Sequence, residues 1–357
     1  MSNTHKYIVA FDSLKGCLSS AEANKAAAQG ITSADAAATV VSAIMSDGGE
    51  GWLEAIVAAT RAQVMTVSVH DALMRPVMSS YGVSGTTAYV EVAQVIGLPL
   101  IAPHERDAVG ATTYGLGELL ADALRRGCTD FVVGLGGTAT SDVGEGMLKA
   151  LRHAGMFDAM SRCRVVGATD VSSPLLGSTG AARMFAPQKG ASPAQVELLE
   201  QRAAAVAAHY RQATGHDCSR LPGAGAAGGL GYALMQHFGA SLQPGADMLL
   251  DLIGFDCLLQ GAALVITGEG SSDAQTLMGK LPFRVMQRAR RQAVPTLLLA
   301  GRIADRDALL AAGFTDVRCI NPPQLSLTEA LRPAVASANI AAAISQSSLF
   351  SAVAGPQ

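Results

Sequence analysis

Hydrophobic positions near the start of this chain fall into short, nearly unbroken runs, each followed by a stretch of helical spacing. Residues 7–11 (Tyr-Ile-Val-Ala-Phe) read as a strand. Ser19 and Glu22 have the spacing of a capping box, in which each side chain accepts the other residue's backbone N–H at a helix start. A second strand is predicted at 39–45 and a second helix from about Glu50 to Ala59. The alternation returns late, with strands at 263–267, 296–300 and 315–320 separated by helical patterns. Strands apolar on both faces, with helices between them, indicate a parallel sheet covered on both sides. The middle differs: the runs 64–69, 77–83 and 87–93 follow one another with no helix between, which predicts a mixed or antiparallel sheet. Then come a helix at 112–126, a strand at 131–135 and a helix at 193–210. The pattern predicts an α/β protein. A discontinuous doubly wound parallel-sheet domain (1–61 plus 262–357) carries a second, inserted α/β domain of mixed sheet (62–261), with the active site expected in the cleft between them.

Composition narrows the function. The 357 residues are 49% hydrophobic and only 15% charged, with a net charge of −3 and no basic run longer than two residues, which argues against a nucleic-acid or anionic-membrane partner. No apolar stretch approaches the roughly 18 residues of a membrane span, and the first strand leads straight into Asp12 without a signal-peptide core, so a cytoplasmic location is expected. The six cysteines show no Cys-x-x-Cys pair and the seven histidines no His-x-x-x-His spacing, so neither a zinc site nor a disulfide scaffold is signalled. Small-molecule substrates are the expected partners, and a homo-oligomer is compatible with the sequence.

Glycine gathers with acidic, hydroxyl and lysine side chains just past the predicted strands: 12–16 (Asp-Ser-Leu-Lys-Gly), 46–51 (Ser-Asp-Gly-Gly-Glu-Gly), 268–273 (Gly-Glu-Gly-Ser-Ser-Asp) and Gly301-Arg302. Ligands of open parallel sheets bind outside the carboxyl ends of strands, so these loops are expected to converge on one rim. The inserted region has its own set at 134–142, 169–174, 187–190 and 223–229. Backbone N–H groups in such loops can cradle phosphate oxygens. Candidate nucleotide- or substrate-binding residues are therefore Asp12, Ser13, Gly48, Gly49, Glu50, Gly136, Gly137, Thr138, Thr140, Gly225, Gly228, Glu269, Asp273 and Lys280. No P-loop is present, because Gly279-Lys280 is followed by Leu281. Gly223, Gly225 and Gly228 match a dinucleotide fingerprint with Asp247 at a suitable distance. The preceding residues 216–222 are polar and end in proline where a strand is required, so a nicotinamide dehydrogenase is set aside.

Lysine is scarce: six against twenty arginines, and three of the six (Lys15, Lys189, Lys280) adjoin a glycine, where a compact charge can be aimed at a bound oxyanion. Lys15 and Lys189 are candidate catalytic residues. If all three face bound anions, replacing any one with Met should cost about 100-fold in rate, with stability changed by no more than about 0.5 kcal/mol. Mg²⁺ in phosphoryl transfer is held by one or two carboxylates plus substrate phosphates, which makes Asp47, Asp170, Glu269 and Asp273 metal candidates. Asp47, Asp142 and Asp170 are catalytic candidates, one of which would accept a hydroxyl proton. Glu50 reads equally well as a helix N-terminal charge and Trp52 as packing.

Taken in order, the segments DSLKGCLS (12–19), SDGGEG (46–51), TTYGLGEL (112–119), GGTATSD (136–142), TDVSSP (169–174), PQKG (187–190), GAGAAGG (223–229), GEGSSD (268–273) and AG (300–301) resemble the type I glycerate kinase family across nearly the whole chain. The resemblance implies ATP-dependent phosphorylation of D-glycerate to 2-phosphoglycerate with Mg²⁺ as cofactor. Departures stand at Ser271, where the family pattern has arginine, at Ser173 in place of its asparagine and at Thr169 in place of its cysteine. The stretch Ser141-Asp142-Val143-Gly144-Glu145-Gly146 also stands where the pattern reads Asn-Asp-Gly-Gly-Ala-Gly. Two alternatives follow from these departures: a kinase for a related hydroxy acid, or a non-catalytic hydroxy-acid or nucleotide sensor on the same scaffold.

Overall fold

The computed structural model describes residues 5–46 and 48–354. In chain order the strands are β1 (His5–Phe11), β2 (Ala38–Ser42), β3 (Gln63–His70), β4 (Pro76–Ser84), β5 (Thr87–Glu91), β6 (Asp130–Gly134), β7 (Arg164–Ala168), β8 (Ser241–Gln243), β9 (Ala262–Ser272), β10 (Thr296–Ile303) and β11 (Asp316–Cys319). They form two sheets, and the chain divides into two units, Met1–Asp47 with Ala246–Gln357, and Gly48–Gly245. The crossings thus fall at 47/48 and 245/246, where the pattern placed them at 61/62 and 261/262. The helix Trp52–Thr60 belongs to the second unit because its fully buried Trp52 packs on Gly134, where an added Cβ would lie 3.1 Å from the indole. The helix Gly245–Leu252 belongs to the first because Asp247 and Asp251 pair with Arg288.

The first unit is a five-stranded, wholly parallel sheet in the order β11-β10-β9-β1-β2. Ser19 and Glu22 form the expected capping box at the start of the helix Ser20–Ala34. One turn in, Ser20 and Asn24 point back at the sheet. Ser20 Oγ donates to Phe11 O and accepts from Met45 N, while Asn24 accepts from Phe11 N and donates to Ala43 O. Two buried side chains on one helical face therefore fix the carboxyl ends of β1 and β2, from which the first glycine-rich loops leave. That helix lies close against the helix Pro333–Ser345, where a Cβ on Gly30 would come within 2.8 Å of Ala341 Cα. The segment Gly268–Asp273, expected as a loop after a strand ending at 267, continues β9 as far as Ser272, with Arg302 and Ile303 of β10 in register with Ser271 and Ser272. Glycine at 268 permits this, because a side chain there would strike Leu299 O and the Phe11 ring.

The second unit holds the mixed sheet, in the order β3-β4-β5-β6-β7-β8: antiparallel from β3 to β5 and parallel from β5 to β8. Strands β7 and β8 have no counterpart in the pattern-based reading. β8 is only three residues long, and β7 contains Gly167, where a Cβ would press on Leu242 of β8. Val90, Phe131, Val133, Leu116 and Leu230 lie in one buried cluster that joins the parallel strands to their flanking helices.

Candidate functional site

In the first unit the strand order reverses between β1 and β9: β1 connects outward to β2, and β9 connects the other way to β10. Doubly wound sheets bind ligands at this switch point, outside the carboxyl ends. The loop after β1 begins with Asp12, whose N–H donates to Gly268 O and whose Oδ1 accepts from Ser13 N. A tight turn closed by hydrogen bonds between Leu14 and Leu18 then lifts Lys15 and Gly16 into solvent. Gly270 lies under this turn, its Cβ position 3.8 Å from Lys15 N. Beside it, buried Glu269 accepts hydrogen bonds from the hydroxyls of Ser272 (2.9 Å) and Thr276 (2.6 Å), and its other oxygen lies 3.7 Å from Lys280 Nζ, on a side chain 37% exposed. The candidates of the loop after β1 and those around Glu269 thus meet at one rim: Asp12, Ser13, Lys15, Glu269 and Lys280. Asp273 caps the following turn through Gln275 N. Asp47, a catalytic and metal candidate, lies outside the described residues.

In the second unit the parallel strands β5, β6 and β7 end side by side, and the segment from Gly48 crosses them. Gly136 N donates to Gly48 O (3.0 Å), and a Cβ on Gly48, whose φ is +99°, would come within 2.9 Å of Ala168 O. A Cβ on Gly136 would strike Gly49. Glycine is required here by the close passage of two backbones. Glu91, at the end of β5, is 2% exposed and accepts the Leu53 N–H at the start of the helix Trp52–Thr60 (2.9 Å). Burial pushes its carboxyl up to about 7, and hydrogen bonds from Leu53, Gly51 and Gln94 keep it from rising further. Sequence reasoning missed Glu91, which reads as a polar strand end. Glu50 and Asp170 are exposed at this rim.

The loop after β6 meets Lys189. This lysine, 2% exposed, donates to Thr138 Oγ1 (3.2 Å) and Thr140 O (2.6 Å). Burial lowers its pKa from 10.5 to about 8, with Asp142 acting in the other direction. Thr140 is fully buried, and among the described residues its hydroxyl has no partner. The chain behind it is interlocked: Val143 N donates to Gly228 O, Gly225 N to Ser173 O, and a Cβ on Gly228 would strike Thr140 O. Ala227, Gly228 and Gly229 are successive left-handed residues that kink the start of the helix Ala226–Phe238. Gly137, also left-handed, turns the loop so that its carbonyl accepts from Leu98 N. Next to Lys189, Gly190 rests against the Arg106 backbone, and Arg106 Nε is buried without a partner. Arg106 gave no signal in the sequence.

Asp142 departs from its expected catalytic role. Its carboxylate accepts from Thr112 Oγ1, the N–H and hydroxyl of Thr113, Gly144 N and Gly146 N, so both oxygens hold helix starts together. Asp247, the ribose candidate of the set-aside dinucleotide reading, pairs with Arg284 and Arg288.

The sequence profile described as the glycerate kinase family matches residues 7–159 and 152–348. The chain belongs to the glycerate kinase family. A glycerate 2-kinase of Escherichia coli is 36% identical over 327 residues, covering 84% of this chain and 86% of that protein. A Bacillus subtilis glycerate kinase is 34% identical, covering 92% and 94%. A crystal structure from Salmonella typhimurium, provisionally named glycerate kinase 2, aligns with a TM-score of 0.79 at 33% identity, covering 99% of this chain and 98% of that one. Two of the departures from the glycerate kinase pattern, Glu145 and Ser271, have local partners, whereas Val143 holds a left-handed φ of +57° where the pattern has glycine. Glu145 accepts a hydrogen bond from the Tyr210 hydroxyl (3.0 Å), and Ser271 is in register with Arg302, which keeps a guanidinium on the adjacent strand. Among the described residues no helix is long and apolar enough to cross a membrane.

Proposed function

We propose that this chain transfers the γ-phosphoryl group of ATP to D-glycerate and forms 2-phosphoglycerate. The observation that carries the proposal is Lys189, a buried ammonium whose hydrogen bonds among the described residues go to neutral oxygens, beside the Thr140 hydroxyl, which has no partner among those residues. Burying an ammonium without a paired carboxylate is costly, and an arriving anion relieves that cost. In this reading Lys189, Thr138 and Thr140 bind the glycerate carboxylate. With the carboxylate fixed, only one hydroxyl can lie in line with the γ-phosphate, so one product forms. Asp170, exposed past the end of β7, accepts the hydroxyl proton. Lys15, Lys280 and the Asp12 loop hold the nucleotide phosphates.

Among the described residues no group of three His, Cys, Asp or Glu side chains gathers as a metal site. Mg²⁺ arriving on nucleotide phosphates asks the protein for one or two carboxylates. Asp273 fits this part. Glu269, a metal candidate by sequence, fits it poorly because two hydroxyls and Lys280 already occupy its oxygens. Mg²⁺, when bound, neutralises phosphate charge as the phosphoryl group moves.

The test is ADP release coupled to D-glycerate and MgATP, with phosphorus NMR of the product. A single 2-phosphoglycerate signal is expected. A dominant 3-phosphoglycerate signal would contradict the regiochemistry, and tight glycerate binding without turnover would leave the sensor reading.

A further inference from the structure

A cavity of about 380 Å³ opens beside the sheet of the first unit, between the end of β11 and the helix Pro333–Ser345. This is within the range of small-ligand pockets, and it belongs to neither lysine site described above. Its walls are unusually rich in carboxamides: Asn321, Asn339 and Gln346, joined by Arg318, the exposed thiol of Cys319 and the small side chain of Ala342. Asn321 donates to Gly301 O (2.8 Å) and accepts from Asn339 Nδ2 (3.1 Å). Among the described residues, the Asn339 carboxamide oxygen and the whole Gln346 amide have no hydrogen-bond partner. A carboxamide presents one donor and one acceptor side by side, which matches the amino group and ring nitrogen of an adenine edge. Ile320 and Ala343 supply the apolar surface a flat heterocycle needs.

Position decides between a stray cavity and a nucleotide subsite. The cavity lies where edge strand β11 ends, at Cys319, Ile320 and Asn321, two strands away from the β1/β9 switch point. Gly301, held by Asn321, is also the residue that backs Gly270: a Cβ there would come within 2.8 Å of Gly270 O. The carboxamide cavity therefore adjoins the Gly268–Asp273 segment, with Glu269 and Lys280 beyond it. A nucleoside in the cavity would place its phosphates along that segment.

We propose that the cavity formed by Asn321, Asn339, Gln346 and Cys319 binds the adenine nucleoside of the phosphoryl donor, an assignment that rests on the kinase reading above. The test uses the full chain and two independent readouts. Cys319 opens into the cavity, and Cys257, also exposed, lies outside its lining and serves as an internal reference. Alkylation by a maleimide, followed by peptide mass spectrometry, should be slowed at least about five-fold at Cys319 by saturating ATP and by adenosine. Inorganic tripolyphosphate should have no such effect, and Cys257 should be unaffected by all three. Ala342→Trp, at an exposed helix position, fills the cavity. It should weaken ATP binding in calorimetry by at least about ten-fold and leave tripolyphosphate binding and the KM for D-glycerate unchanged. ATP that binds the wild-type chain without protecting Cys319, or that binds Ala342→Trp as well as wild type, would overturn the assignment while leaving the kinase reading intact. Failure of the wild-type chain to bind ATP at all would overturn both.

Discussion

Both units set glycine-rich segments at the carboxyl ends of parallel strands, yet they treat charge in opposite ways. In the first unit Lys15 stands on an exposed turn and Lys280 is partly exposed beside Glu269, so solvent shares the work of stabilising them. In the second unit Lys189 and Glu91 are both 2% exposed, and burial pulls each toward its neutral form. A phosphate chain entering the first unit exchanges water for ammonium groups already in water. In the proposed reaction a carboxylate entering the second meets an ammonium whose hydrogen bonds among the described residues go to neutral oxygens. There, exposed charge suits a nucleotide whose diphosphate product must leave every turnover, and buried charge suits recognition of one small anion.

The largest effect should therefore fall on Lys189. Lys189→Met is expected to lower kcat/KM for D-glycerate by 100-fold or more, about 2.7–4 kcal/mol, as for loss of a preorganised donor in a dry site. A steady-state assay with ATP held saturating checks this. The accompanying expectation that all three lysines behave as surface residues in stability does not hold for Lys189, because its removal both relieves a buried charge and strands Thr140 O. The pH dependence separates these effects. The pKa is depressed from 10.5 to about 8, so the stability this group contributes is present above 10.5 and lost as pH falls to 8. That loss, on the order of 3 kcal/mol, should vanish from denaturant titrations of Lys189→Met.

Glu91 gives the mirror image. Its pKa is raised from 4.5 to about 7, so its contribution is intact below 4.5 and lost as pH rises to 7. Denaturation at pH 5 and pH 7.5 should show wild type losing up to about 3 kcal/mol relative to Glu91→Gln. Equal slopes in the two proteins would mean that the carboxyl is solvated. Next in size, Lys15→Met and Lys280→Met should raise the KM for ATP by roughly ten-fold; Lys15→Met should change stability by no more than about 0.5 kcal/mol because its charge is screened, whereas Lys280→Met also leaves buried Glu269 without its cation and should cost more. Smallest of all, Ser271→Arg should move the KM for ATP by less than about five-fold, because Arg302 already stands in register beside it. A gain much above that would show that the missing arginine matters.

The sequence carried most of the fold because many of its strands are short apolar runs bounded by glycine-containing segments. β1, β10 and the β3-β4-β5 run stand out by composition alone, and the Ser19 and Glu22 cap is legible from spacing. β8 was too short to show a period, and β9 ran past its glycines because pairing with β10 outweighs their weak strand preference. The site was legible as a set of segments but not as a set of roles. Nothing in the spacing shows that Asp142 would meet five donors, that Glu91 would sit under a helix start, or that Lys189 would be buried while Lys15 is exposed. Those properties come from tertiary contacts between segments far apart in the chain, such as Lys189 with Thr140.

The buried lysine can be observed directly, because the chain has only six lysines. With lysine labelled by ¹³C at Cε, carbon NMR from pH 6 to 11 should reveal one resonance with a midpoint near 8, absent from Lys189→Met. Addition of D-glycerate should move that midpoint upward by a unit or more, since a bound carboxylate favours the charged form. A Lys189 resonance that titrates at the ordinary 10.5, or a midpoint near 8 that D-glycerate leaves in place, would contradict the account of the second unit as the anion-recognising half of the enzyme.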